Sequence, residues 1–167
     1  ASFSATVDWG DGTLELQAIQ GRGSDRPLLG MHTYAMDGVY RASVSVDDGN
    51  GGVGQSGFNV TVSNLAPVPE RIELASVAQG QPFALQMLFR DAGVFDTHVA
   101  TVRWSEGQVE ADPAEVVSDG PGTGAGTVSA SHVFTSVGLH RGVVSLVDSD
   151  GGVIEQAFEV EVLDVAP

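Results

Sequence analysis

The sequence predicts an all-β chain of two tandem β-sandwiches, residues 1–66 and 67–167, the first lacking its N-terminal strands. Three observations carry this. His32 to Pro67 aligns without a gap on His132 to Pro167, at an offset of 100 residues and with 14 of 36 positions identical. A fixed internal period of this kind marks copies of one structural unit. Apolar and polar residues alternate at period two, as in strands with one wet face. Asp-Gly pairs at Asp11, Asp37, Asp48, Asp119 and Asp150 supply the positive φ that hairpins need.

In chain order the Trp9 strand comes first, and the alignment of Ala5 to Thr13 on Ala100 to Gln108 makes the Trp104 strand its counterpart in the second copy. Tyr40, Ala42, Val44 and Val46 then alternate with Arg41, Ser43 and Ser45, and Phe58, Val60 and Val62 with Asn59, Thr61 and Ser63. The second copy repeats the pattern with Val144 and Leu146, then Phe158, Val160 and Val162. A hairpin from Asp47 to Gly52 matches one from Val147 to Gly152. The joint is Asn64-Leu65-Ala66-Pro67-Val68-Pro69, stiffened by two prolines. Val165-Ala166-Pro167 recreates its first part, so a further unit is expected after it.

The copies differ ahead of the Trp strand. Copy two has two more predicted strands there, Arg71 to Ser76 and Phe83 to Arg90, whereas copy one has only Ala1 to Thr6. Copy one is therefore expected to expose core and a sheet edge, with self-association through that edge as one consequence. The Gly-, Pro- and Asp-rich run Glu110 to Gly126 reads as a surface loop.

Composition narrows the function. Seven basic against 22 acidic residues give a net charge of −15, and every basic residue is Arg. Such a surface repels phosphate, which argues against nucleic acid and anionic membrane as partners. There is no Cys, so disulfides, thiolate metal sites and Cys nucleophiles are excluded. No apolar run is long enough for a membrane helix, and no signal peptide is visible.

Val7-Asp8-Trp9-Gly10-Asp11-Gly12-Thr13, His32-Thr33-Tyr34, Gly38-Val39-Tyr40 and a strand ending in Asp47-Asp48 resemble the PKD (polycystic kidney disease) domain. Copy two is similar but diverged. Trp104-Ser105-Glu106-Gly107 stands for the Trp turn, His132-Val133-Phe134 for the His motif, and Phe89 to Thr97 resembles the run that precedes the Trp strand in bacterial members. The resemblance implies an immunoglobulin-like sandwich of about 80–100 residues per unit. It also implies an extracellular or cell-surface bacterial setting, protein or carbohydrate contacts or a spacer role, and Ca²⁺ binding in some members.

Of the candidate sites, Asp91 and Asp96 lie five apart across a Gly-containing bend, hard oxygen ligands of the kind Ca²⁺ takes. Asp8, Asp11 and Asp37 offer a second grouping in copy one. Most of these acids are also explained as turn formers, and no EF-hand spacing occurs. Asp47, Asp48, Asp148 and Asp150 read as hairpin tips. Trp9 and Trp104 read as core plugs, His32 and His132 as structural histidines without a recurring acid partner, and His98 and His140 as incidental. No G-x-S-x-G, H-E-x-x-H or phosphate loop is present.

The expectation is a non-catalytic structural or interaction module, a spacer or adhesive array in a large surface or secreted protein. Its partners would be neighbouring repeat units and a protein or carbohydrate ligand, and Ca²⁺ is the one candidate cofactor. The alternative is a carbohydrate-binding accessory region of a secreted hydrolase.

Overall fold

A computed structural model describes residues 3–17, 19, 28–106, 111–120 and 122–164. The expected second joint at Val165 to Pro167 lies outside them, as do Gly107 of the second Trp turn and Glu110 and Pro121 of the expected loop. All regular elements in the described residues are strands, and the chain is all-β. It divides into two compact units, Ala1–Ser63 and Asn64–Pro167.

The first unit holds β1 (Ser4–Asp8), β2 (Leu14–Gln17), β3 (Gly38–Asp47) and β4 (Val53–Val62), in the sheet order β2-β1-β3-β4. All its pairings are antiparallel. Val7 lies opposite Val44, and Ala42 opposite Phe58, so one face collects the apolar set that alternation predicts. Ala5, Val7 and Ala42 are buried on that face, whereas Phe58 keeps 45% of its surface. Among the described residues the unit has no counterpart of the strands that precede the Trp strand in the second copy.

The second unit holds β5 (Val68–Glu73), β6 (Val77–Ala78), β7 (Pro82–Arg90), β8 (His98–Trp104), β9 (Asp112–Ser118), β10 (Ala125–Val133), β11 (Gly138–Asp148) and β12 (Val153–Leu163). Their order is β5-β7-β10-β9-β8-β11-β12-β6. They form an immunoglobulin-like sandwich. Phe83, Leu85, Met87 and Phe89 of β7 and Val128 of β10 face Ala100, Val102 and Trp104 of β8, Val144 and Leu146 of β11, and Phe158, Val160 and Val162 of β12. Phe89 and Phe158 each lie over a glycine: a Cβ on Gly126 or Gly142 would stand 2.7 or 2.3 Å from the ring. Copy one has Ala42 in place of Gly142, and its Phe58 is turned further to solvent.

Three expectations are corrected. The expected strand from Arg71 to Ser76 starts earlier, at Val68, and ends at Glu73. The run read as a surface loop contains β9. Its Asp112–Ala114 pairs with β8 and its Glu115–Ser118 with β10, so this strand crosses from one sheet to the other. Ala114 and Val116 pack on the core from it, and Pro113 lies within the short segment paired with β8, just ahead of the crossing. Finally, Asn64 to Ala66 belong with the second unit rather than the first.

Candidate metal centre

Two strand ends and a loop converge in the second unit. Asp91 follows β7, Asp96 lies in the loop from β7 to β8, and Asp148 is the last residue of β11. One carboxylate oxygen from each lies within 4.8 Å of the others. Asp91 and Asp148 are 7% and 5% exposed. Copy-two residues that the sequence paired, Asp91 and Asp96, are thus brought together, and a third acid joins them that the sequence assigned to a hairpin tip.

Each carboxylate is placed by its own local chemistry. Asp91 Oδ1 accepts a bond from the Gly93 N–H at 2.9 Å, and its Oδ2 lies 2.7 Å from His98 Nε2. His98, read as incidental, is buried against Phe89 and orients this carboxylate. Asp148 Oδ1 accepts from the Asp150 and Gly152 N–H groups at 2.9 and 2.7 Å. Its Oδ2 accepts from Asn64 Nδ2 at 2.9 Å. Burial works against the charge on Asp148, but these donors outweigh it and hold its pKa below the usual value.

Asp96 is different. Both its carboxylate oxygens are buried and no donor reaches either. Burial, with the charges of Asp91, Asp150 and Asp148, pushes its pKa up to about 6. The bend is shaped around this side chain, because a Cβ on Gly93 would stand 2.1 Å from Asp96 Oδ2. A buried anion without a donor is costly, and a cation removes the cost at a stroke. Hard carboxylate oxygens without thiolate or imidazole ligands match Ca²⁺.

The copy-one acids are not gathered in this way. Asp8 and Asp11 each cap their own turn, accepting from the Gly10 and Thr13 N–H groups at 2.9 and 3.0 Å. Asp48 accepts from the Asn50 and Gly52 N–H groups, the same turn as Asp148 without the neighbouring acids. Among the described residues, only Asp91, Asp96 and Asp148 form a group of three potential ligands.

The aromatic histidines have a recurring partner after all. His32 stacks on Trp9 and His132 on Trp104, with ring centroids 5.0 and 4.8 Å apart. The acid two residues after each Trp then meets the ring: Asp11 lies 2.7 Å from His32, and Glu106 lies 3.7 Å from His132. Trp104 is a core residue at 2% exposure, whereas Trp9 is half-buried. In the second unit Glu106 also accepts from the Thr135 and Ser136 N–H groups and from the Ser136 hydroxyl at 2.7 Å. Burial opposes its charge, yet these donors and His140 bring its pKa down to about 2. Ser136, His140 and Glu106 therefore resemble a hydrolase trio only in composition. The Ser136 hydroxyl donates to Glu106, and His140 meets the Ser136 carbonyl rather than its hydroxyl.

No protein-family model matches the chain, and no curated protein matches it. Solved structures do. The PKD domain of an M14-like peptidase from Thermoplasmatales archaeon SCGC AB-540-F20 is 17% identical, with a TM-score of 0.46 over 60% of this chain and 98% of that one. Dimeric latent PorU from Porphyromonas gingivalis is 12% identical at a TM-score of 0.50. It is matched over all of this chain, which spans 20% of PorU. Red sea bream transglutaminase is 11% identical at a TM-score of 0.46, matched over 96% of this chain and 26% of its own. The likeness is one of fold. Among the described residues no helix is long and apolar enough to cross a membrane.

Proposed function

We propose that the chain is a non-catalytic extracellular module of a larger protein, a spacer or adhesive segment whose second unit is locked by a bound Ca²⁺. The observation that carries this reading is the undonated, buried carboxylate of Asp96 among Asp91 and Asp148. Asp91, Asp96 and Asp148 would supply the protein oxygens, with His98 and Asn64 orienting two of them. The ion would neutralise the acids and pin together the ends of β7 and β11 and the loop to β8. Extracellular modules bind Ca²⁺ with dissociation constants of about 10⁻⁴–10⁻³ M, a range that suits a site with few protein ligands. An aromatic platform for sugars has less support, because the exposed aromatics among the described residues, Phe3, Phe58 and Phe95, are scattered over both units.

Calorimetric titration with Ca²⁺ should show binding, and Ca²⁺ at ten times its dissociation constant should stabilise the second unit by about 1.4 kcal/mol. Asp96→Asn should melt no earlier than the parent without Ca²⁺, because it removes a repelled charge, and should lose the Ca²⁺ response. A parent protein with no heat and no melting shift in millimolar Ca²⁺ would sink the reading, as would an Asp96→Asn variant that still responds.

A further inference from the structure

The two units guard their sheet edges differently. In the second unit, β5 carries Pro69, a bulge between Pro69 and Arg71, and the charges of Glu70, Arg71 and Glu73. At the other end, β6 covers Val162 and Leu163 of β12, and β12 itself bears Glu155, Glu159 and Glu161. In the first unit, β2 is four residues long and carries Glu15. Short length, proline, bulges and charge are the devices that stop strands from pairing with strangers.

β4 has none of them. It is ten residues long, VGQSGFNVTV, without charge or proline. The three Glu of β12 are replaced, at the same repeat positions, by Gln55, Asn59 and Thr61. Among the described residues it is the terminal strand of its sheet, and every residue from Val53 to Asn59 is exposed. Gly54 has open space around it, which leaves room for another backbone to approach. The first unit is the less acidic of the two, with seven acidic and three basic residues up to Ser63, against fifteen and four beyond it. Most of the net acidity that would keep two copies apart sits on the second unit.

We infer that β4 is a pairing edge for a second copy of this chain. Two β4 strands would join antiparallel about a two-fold axis, making one continuous sheet from two four-stranded ones. Such a contact is self-complementary, as two-fold interfaces must be. An uncharged strand suits it, because antiparallel self-pairing places any charge on the strand close to its own copy.

Sedimentation velocity on the 167-residue chain over a concentration series should show a monomer–dimer equilibrium. Q55E/N59E/T61E imports residues that the second copy already carries on the matching strand. It should therefore fold, and it should weaken the dimer by about tenfold or more through like charges on neighbouring strands. A control with the same three charges on exposed positions of the second unit, V117E/S131E/V137E, should still dimerise. Hydrogen exchange should show β4 amides gaining protection with concentration. A chain that stays monomeric throughout would overturn the inference. So would a dimer indifferent to the β4 triple variant, or one that the control weakens equally.

Discussion

At the scale of residues, buried acids behave according to the donors they meet. Asp148 and Glu106 are each met by donors and stay ionised, whereas Asp96 meets carboxylates and is pushed towards the neutral form. Glu106 gives a pH prediction with a definite sign. Its folded pKa of about 2 lies below its ordinary 4.5, so its stabilisation is fully present above 4.5 and is lost as pH falls towards 2. Glu106→Gln should cost about 1–3 kcal/mol at neutral pH, and the acid limb of its stability curve, read by denaturant titration between those pH values, should be shallower. An unchanged acid limb would remove Glu106 from the account. Sequence alone picked out Asp91 and Asp96, because both flank one glycine bend. It missed Asp148, since Asp48 occupies the same turn in copy one and has only a turn's role. Pairing of β8 with β11, which sets Asp148 opposite His98, is what brings a hairpin acid to the Asp91–Asp96 pair.

Strands were legible wherever alternation ran for several residues, as in β3, β4, β7, β11 and β12. β9 was not, because Pro113 and the surrounding Asp and Gly carry turn chemistry that outweighs Ala114 and Val116. Its role is nonetheless structural: it hands the chain from one sheet to the other. Val116→Asp should therefore destabilise the second unit by about 2 kcal/mol or more, through an unpaired charge against the core. Thermal unfolding would reveal it. A variant that melts with the parent would return the segment to the status of a loop.

For the molecule as a whole, the repeat disclosed two units because the His strand, hairpin and joint are copied together. The position of the boundary was less visible. Proline marks a stiff joint by composition, but the role of Asn64 depends on Asp148, 84 residues further on. A fragment beginning at Asn64 should be more stable than one beginning at Pro67, and Asn64→Ala should lower stability by about 1.5–3 kcal/mol, the range for a bond to a charged group. Equal melting of the two fragments would place the boundary back at the proline.

The short β6 has a mechanical meaning. It runs parallel to the end of β12, with Val77 beside Val162 and Ala78 beside Leu163, and the Gln79 N–H donates to the Leu163 carbonyl at 2.9 Å. If the unit is pulled from its two ends, β5 takes the N-terminal load first; once it has come away from β7, tension reaches β6 through its N-terminal side and β12 through its C-terminal side. In a parallel pair those pulls oppose each other along the strands, so the bonds between them bear the load together in shear instead of opening one at a time. Two residues of strand thus act as a latch against stretching, a duty out of proportion to their length.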